Sequence, residues 1–494
     1  MKSQFLNRST ASVTPLLLAL LMAGCVSYSG ITPKASLTTP ADLSLSSASI
    51  QWPTERAWEV LHDPVLSDLM VQALEKNPTI KVARARLDKV SALADAADAN
   101  RYPAVSVNAS MMPEHFTENY IYPPPYAGSV YSTNSLTVNA KYEFDFWGKN
   151  GDALAAALSN EKAAQAEIQS AQLLIETSVA KSYFTLARGL AQKKILEHTM
   201  VQREELFNMT NQRLAAGLDT TQEMRVSKQG LPAIREEIIK LDEQISLARN
   251  ALAALIGKGP DATQNVVASL PDRTVFPTPD SIPAELLGRR ADIAAARDRV
   301  EAAGKLVAAT KTEFYPNINL SASAGFLSLG FSHWIDGSSQ DYSVGPAISL
   351  PIFDAGRLRA NLSGKTAEYD MAVQSYNQTL IEAVHDVADQ LSSLRSLALQ
   401  EKQQSELLHN AESVHEIAQQ REKAGLVNHA VVLNAETTLL AQQSAAIDLR
   451  TRAVELNVNL IRALGGGFDE KIQQKTAQQS SPQNNPQADS AKPN

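Results

Sequence analysis

Three side chains in the second half of the sequence could ligate a metal ion. His385 and Asp389 stand one helical turn apart, with Asp386 beside the histidine. No third ligand has suitable spacing, so we interpret these residues as part of a solvated helix face. The sequence contains no phosphate-binding glycine loop, no nucleophile elbow and no zinc-binding helix motif. We therefore expect no catalytic residue, no metal and no cofactor.

The only cysteine could carry a lipid. Positive charge near the N-terminus precedes a short apolar run, Pro15 to Met22, which is followed by Ala23-Gly24-Cys25. The run is much shorter than the ~20 residues of a membrane-spanning helix. This pattern predicts a lipoprotein signal peptide over residues 1–24 and lipidation of Cys25. The alternative is an ordinary cleaved signal with an incidental cysteine.

The composition is mildly acidic. The 494 residues carry a formal net charge of −8, which provides no general basic character for binding nucleic acid. One cysteine excludes an internal disulfide. The tail is rich in Gln, Asn, Ser and Pro, so we predict disorder over residues 468–494.

The sequence is an internal two-fold repeat. Residues 77–103 align without gaps on residues 290–316, and the Tyr-Pro that ends each segment superposes. Farther on, an Ala-Gly-Leu triplet occurs once in each half. We therefore predict a first structural repeat over 25–256, a Pro-rich crossover belt over 257–283 and a second repeat over 284–467.

Four segments alternate apolar and polar residues with a period of two, in β-hairpins at about 104–146 and 317–353. On the second strand the polar side carries Lys141, Glu143 and Asp145, which we predict to line the lumen of a membrane barrel. A soluble sandwich shows the same alternation, but two hairpins far apart in sequence, each followed by a very long helix, favour a membrane wall. Because four strands cannot close a barrel, we expect several chains to share one.

Two proline-free segments, 148–216 and 356–424, predict exceptionally long helices. At ~1.5 Å per residue each would extend about 100 Å. Apolar residues in the second segment step by four and three, as in a coiled-coil seam. The seam consists of Leu380, Val384, Val387, Leu391 and Leu394.

These features resemble the TolC-type outer-membrane factors, in the lipoprotein branch that serves efflux pumps. The resemblance covers roughly residues 25–467. Its most specific motifs are Ile282 to Ile293, Phe314-Tyr315-Pro316 and Pro351 to Arg357. It implies an α+β membrane protein: a homotrimer in which four β-strands per chain build a twelve-stranded β-barrel, joined to a long α-helical coiled-coil barrel.

The resemblance also implies a function and partners. The protein would be an outer-membrane channel, lipid-anchored and extending into the periplasm, and a passive exit duct for drugs or other small toxic compounds. It would dock with a periplasmic adaptor protein and an inner-membrane efflux transporter, in contact with outer-membrane lipid. The alternatives are the exit channel of a protein-secretion system and a structural coiled-coil lipoprotein that tethers the layers of the envelope.

In that family the two Ala-Gly-Leu turns are the periplasmic tips of helical hairpins, here at Gly217, Leu218, Gly425 and Leu426. Acidic residues after the second turn form a constriction, but this sequence has Val431 and Asn434 there. The first-half equivalent of Val431 is Glu223, and Asp219 lies one turn earlier. We predict a periplasmic constriction built from Asp219, Glu223 and Asn434. The alternative is that both acids serve only the start of their helix.

Overall fold

The computed structural model describes most of the chain, and every structural statement below concerns the described residues. They are residues 27–39, 41–43, 45, 52–54, 58–59, 62–271 and 282–469. Cys25, the predicted signal peptide, most of the predicted C-terminal tail and part of the crossover belt lie outside them.

Seven α-helices and four β-strands, with four short 3-10 helices, make up the regular structure of the described residues. In chain order the α-helices and β-strands are α1 (Pro64–Lys76), α2 (Pro78–Ala99), β1 (Ala104–His115), β2 (Val130–Phe144), α3 (Lys149–Ala215), α4 (Thr221–Leu255), α5 (Ala291–Thr312), β3 (Asn317–Leu329), β4 (Gln340–Ser349), α6 (Arg357–Lys423) and α7 (His429–Ala463). The repeated order predicted from the sequence is confirmed. The first half has two helices, a β-hairpin and a helical hairpin, and the second half has one helix, a β-hairpin and a helical hairpin.

The two longest helices match the proline-free segments. α3 and α6 have 67 residues each, so each extends about 100 Å at ~1.5 Å per residue. None of the described helices is both long enough and apolar enough to cross a membrane.

The described chain divides into two compact units, and both halves of the sequence contribute to each. One unit contains the four strands, with residues 86–164 from the first half and 296–376 from the second. The other contains α1, α4, α7 and the remaining parts of the long helices. The two sequence repeats are therefore interleaved within each unit rather than folded apart.

The four strands form one antiparallel sheet in the order β1-β2-β3-β4. The register aligns the apolar sets of all four strands: Val107 pairs with Val138, Val138 with Ala324, and Ala324 with Tyr342. The intervening residues align in the same way, as in the row Ser106, Asn139, Ser323 and Ser343. Because direct partners share a face of a sheet, one face is apolar from the pair Phe144–Ile318 as far as the pair Leu136–Phe326, and the other face is polar over the same rows; polar pairs such as Asn134–Ser328 follow on the apolar face.

The apolar face of the sheet is uncovered within one chain. Val107 is 66% exposed, Tyr342 81% and Val344 75%, which is far more than a soluble protein tolerates for a contiguous apolar surface. The outer strands β1 and β4 each pair on one side only. The apolar face therefore requires an apolar covering and the two edge strands require hydrogen-bonding partners. The described part of one chain provides neither.

The unit without strands has a conventional apolar core. Leu66 and Met70 of α1 pack with Tyr183 and Phe184 of α3 and with Leu252 of α4, all of them fully buried. The predicted seam on α6 is also confirmed: Leu380 and Val387 are completely covered, and Leu391 packs against Leu460 of α7 in a second cluster.

Two consecutive arginines of the Ile282–Ile293 motif bind residues at and beyond the end of α7. Buried Arg290 donates through Nη1 to the carbonyl oxygen of Ala463 at 3.0 Å, and through Nε and Nη2 to both oxygens of Asp292 at 3.0 and 2.7 Å. Arg289 lies over the ring of Trp52 and pairs with Asp469 at 2.9 Å. The positive charge at Ala463 satisfies a carbonyl at the negative end of the helix dipole.

We expect opposite outcomes when the same cation is placed on the two faces of β2. Val138→Arg puts a charge on the apolar face and should destabilise the folded protein by about 2–4 kcal/mol if that face meets lipid. Asn139→Arg, the matched control one residue on, puts the charge on the polar face and should change stability little. Thermal loss of β-sheet circular dichroism in detergent-solubilised protein measures both, and equal destabilisation would show that the strand is not a membrane wall.

Candidate functional site

The two helical hairpins end in turns of identical geometry. After α3 the backbone amide of Leu218 donates to the carbonyl oxygen of Arg213 at 2.9 Å, and after α6 the amide of Leu426 donates to that of Arg421 at 2.8 Å. Gly217 and Gly425 have φ angles of +75° and +73°, the left-handed conformation that closes this type of helix terminus. The repeated Ala-Gly-Leu triplet is therefore a repeated helix stop.

Exposed leucines form the outermost apolar surface of both turns. Leu218 is 67% exposed and Leu426 is 68% exposed. Each follows the left-handed glycine directly, in the turn that joins the two helices of its hairpin. The four predicted tip residues thus lie in two matching turns.

Both acidic residues of the first turn are engaged by their neighbours. Asp219 accepts two hydrogen bonds from the Arg213 guanidinium, at 2.9 and 3.0 Å. These bonds hold the pKa of the Asp219 carboxyl below its usual value. Glu223 accepts from the backbone amide of Thr220 at 2.7 Å, while the Thr220 hydroxyl oxygen accepts from the Glu223 amide at 3.2 Å. This reciprocal pair is a capping box that begins α4.

The second turn has a different polar arrangement. Asn428 caps α7 by accepting from the backbone amide of Val431 at 3.3 Å. Asn434 is exposed one turn farther along α7, and no contact between its side chain and Asp219 or Glu223 is recorded in the described residues. The structure therefore brings two of the three predicted constriction residues into one turn, with the third on another hairpin.

His429 is the residue of this region that the sequence interpretation missed. Its Nδ1 lies 2.6 Å from Glu422 Oε1 and its Nε2 lies 3.0 Å from Glu205 Oε1. Glu422 is near the end of α6, but Glu205 lies on α3 in the other hairpin, so only the three-dimensional structure reveals the contact. A histidine directly after an N-cap asparagine was the one local signal available.

The polar face of the sheet carries the predicted lumen residues Lys141 and Glu143. Lys141 is exposed and is paired across the sheet with Ser321. Glu143 accepts from Lys149 Nζ and from Asn317 Nδ2, both at 3.0 Å. The face is otherwise composed mainly of serine, threonine and asparagine.

The placement of Asp145 in the strand is wrong. The alternation extends the strand through Asp145, whereas β2 ends at Phe144. The Asp145 carboxylate accepts from the backbone amides of Asn150 and Gly151, at 3.1 and 2.8 Å, in the first turn of α3. Asp354 does the same for α6 by accepting from the amide of Leu358 at 2.8 Å. A helix start offers unpaired amides to a carboxylate, and this competing role ends the strand early.

Tyr315 and Pro316, the Tyr-Pro pair of the second half, are held at the junction between β2 and α3. The indole Nε1 of Trp147 donates to the carbonyl oxygen of Pro316 at 2.7 Å, and its ring stacks on Tyr315 with centroids 4.9 Å apart. Gly148 and Gly356, with φ angles of +79° and +89°, permit the chain to turn from strand to helix. These aromatic and glycine residues are therefore structural.

Comparisons with known proteins agree with this architecture. The family model described as outer membrane efflux protein matches residues 69–258 and 282–466. The fusaric acid resistance protein FusA of Burkholderia cepacia is 32% identical over 373 residues, which cover 73% of this chain and 70% of that protein. The multidrug resistance outer membrane protein MdtQ of Escherichia coli O6:H1 is 29% identical over 463 residues, 91% of this chain and 97% of that protein. The crystal structure of the outer membrane protein VceC of Vibrio cholerae superposes with a TM-score of 0.78 and 36% identity, covering 85% of this chain and all of that one.

The fold and these relatives define an outer-membrane channel with no enzymatic activity, which serves as the exit duct of an efflux system. The family match covers most of both repeats. The chain belongs to the outer membrane efflux protein family. Channels of this family are trimers, so three four-stranded sheets supply the twelve strands of one β-barrel, and the helical hairpins form the helical barrel.

The capping role of Asp145 can be separated from its charge. Asp145→Ala should destabilise the first turn of α3 by about 1 kcal/mol, because two backbone amides lose their acceptor. Asp145→Asn keeps a side-chain oxygen and should cost much less. Hydrogen exchange of the peptide that begins α3 measures the difference; equal exchange in the two variants would contradict the cap.

Proposed function

We propose that this channel releases small toxic organic compounds to the exterior, docked to a periplasmic adaptor that connects it to an inner-membrane transporter. The observation that carries the proposal is the polar face of the sheet, which is lined mainly by uncharged hydroxyl and amide groups. Such a lining offers no strong electrostatic barrier and no specific binding group, as suits a passive duct for varied cargo. The relatives named for resistance to fusaric acid and to multiple drugs support the same cargo class.

The hairpin tips are the proposed docking surface for the adaptor. Leu218 and Leu426 present exposed apolar side chains on two turns of the same geometry. Repetition of one motif on both hairpins would give a trimer a ring of equivalent apolar contacts. A partner with matching apolar side chains can cover this ring, which otherwise remains in water.

A lipid on Cys25 is the proposed second attachment to the outer membrane. The first described residues lie beside the junction of strands and helices: Tyr28 packs edge-on against Phe314, and its hydroxyl lies 3.1 Å from that of Tyr315. Arg359 donates to the carbonyl oxygens of Ser27 and Ser29. This attachment, two residues after Cys25, supports an anchor close to the base of the sheet.

A constriction at Asp219, Glu223 and Asn434 is the proposed gate of the periplasmic mouth. The capping box and the Arg213 pair occupy part of each carboxylate's hydrogen-bonding capacity but leave Glu223 exposed. In a trimer, three such carboxylates would attract cations to the entrance. The same hydrogen bonds would hold the charges in fixed positions.

Deletion and complementation test the duct and the anchor together. Removal of the gene should increase accumulation of a fluorescent toxic dye, and the native chain should restore efflux. Cys25→Ser should leave the protein unacylated by mass spectrometry yet still able to insert through its barrel. An unmodified, uncleaved Cys25 in the native protein would refute the anchor, and unchanged dye accumulation after deletion would refute this cargo class.

The gate is tested by Glu223→Gln in planar bilayers. Glutamine also completes a capping box, so the substitution removes the charge and retains the helix start. We expect reduced cation preference and altered conductance. Glu236→Gln is the matched control on the same helix, since Glu236 is paired with Lys240 at 2.7 Å. Unchanged selectivity in the Glu223 variant would eliminate Glu223 from the gate.

A further inference from the structure

We propose that two reciprocal histidine–glutamate contacts between α3 and α7 form a proton-dependent latch, which holds the two helical hairpins of one chain together near their tips. The inference rests on the proposed function, because release of the latch would loosen the periplasmic end of the duct. It concerns residues outside the predicted constriction.

The latch has two rungs of opposite polarity. Glu205 of α3 contacts His429 of α7 at 3.0 Å, and His198 of α3 lies 3.8 Å from Glu436 of α7. On each helix the two residues are about two turns apart, and the order is reversed, as expected for antiparallel neighbours. The first rung is a hydrogen bond, whereas the second is a longer electrostatic contact.

Both ring nitrogens of His429 face a carboxylate oxygen, which favours the doubly protonated ring. Glu422 Oε1 faces Nδ1 at 2.6 Å while Glu205 Oε1 faces Nε2 at 3.0 Å. A neutral imidazole has a single N–H, so it can donate to only one of two ionised carboxylates. The imidazolium donates to both, and these bonds are then charge-assisted. Between two ionised carboxylates, the protonated ring can therefore link α6, α7 and α3 through two hydrogen bonds.

A buried glutamine lies between the rungs on α3. Gln202 is 4% exposed, and within the described residues neither its amide nitrogen nor its amide oxygen has a hydrogen-bond partner. Burial of an unpaired polar group opposes closure of an interface. Gln202 is four residues after His198 and three before Glu205, so it shares the helix face that meets α7, and separation of the two helices would give its amide access to water. Separation of α3 from α7 is therefore favoured once the two histidine–glutamate contacts weaken.

The direction of the pH response follows from the charges around His429. Partial burial lowers the pKa of His429, but hydrogen bonds and charge from Glu422 and Glu205 outweigh it, so the pKa lies above its usual value. Stabilisation by this rung is therefore complete below about pH 6.5 and is lost as pH rises through the raised pKa. The charged groups recorded against the rungs are Glu205 from α3, Glu422 from α6 and Glu436 from α7.

Hydrogen exchange of the full-length protein in detergent tests the latch without any requirement for channel activity. After correction for intrinsic rates, protection of peptides spanning 198–205 and 429–436 should fall about three- to ten-fold between roughly pH 6 and pH 8. His429→Gln should remove this fall and give low protection at both pH values. His429→Lys, which stays charged, should keep protection high at both. His409→Gln, at an exposed histidine of α6, is the matched control and should behave as the native protein does.

Planar-bilayer recordings on the same variants connect the latch to the duct. Open probability should rise with pH in the native channel and in His409→Gln, and should be independent of pH in the two His429 variants. Absence of conductance in every sample would refute the proposed channel function. The hydrogen-exchange data would still decide whether the latch exists. Equal native protection at both pH values, or an unchanged pH response in His429→Gln, would overturn the latch.

Discussion

The unpaired hydrogen-bonding groups on β1 and β4 are the constraint on which the rest of the structure depends. Each edge strand exposes a row of backbone amides and carbonyls on one side, and in hydrocarbon every unsatisfied group costs several kcal/mol. A sheet with one apolar face therefore cannot enter lipid as a single copy. Pairing between β4 of one protomer and β1 of the next removes all free edges at once. The trimer is thus a condition for the membrane-embedded fold.

Helix caps and glycine turns that recur in both halves of the chain give its two helical hairpins the same construction. Asp145 and Asp354 begin the two long helices directly after a strand, and Gly217 and Gly425 end them with the same left-handed turn. The two hairpins of one chain therefore have nearly the same length, as their 67-residue first helices show. Equal helix lengths are what the proposed ring of docking contacts at the two tips requires.

Features governed by local periodicity and turn chemistry were predictable from the sequence. The proline-free segments, the alternating strands and the glycine turns depend on neighbours in sequence, and all are confirmed. Asp145 was misplaced because a strand's alternation and a helix cap use the same residue type, and only the competition for backbone amides decides between them. The links from Arg290 to Ala463 and from His429 to Glu205 join residues far apart in the chain. No spacing rule predicts such contacts.

Cross-linking of the edge strands tests the shared barrel most directly. One chain would carry a cysteine in place of Ser106 on β1 and a second at Asp341, Ser343 or Gly345 on β4, in a Cys25→Ser background that leaves no other thiol. Oxidation in outer-membrane vesicles should yield covalent trimers for at least one β4 position, whereas cysteines on the central strand β2 should not. Monomers alone at all three positions, from protein that still conducts ions, would contradict a barrel closed between protomers.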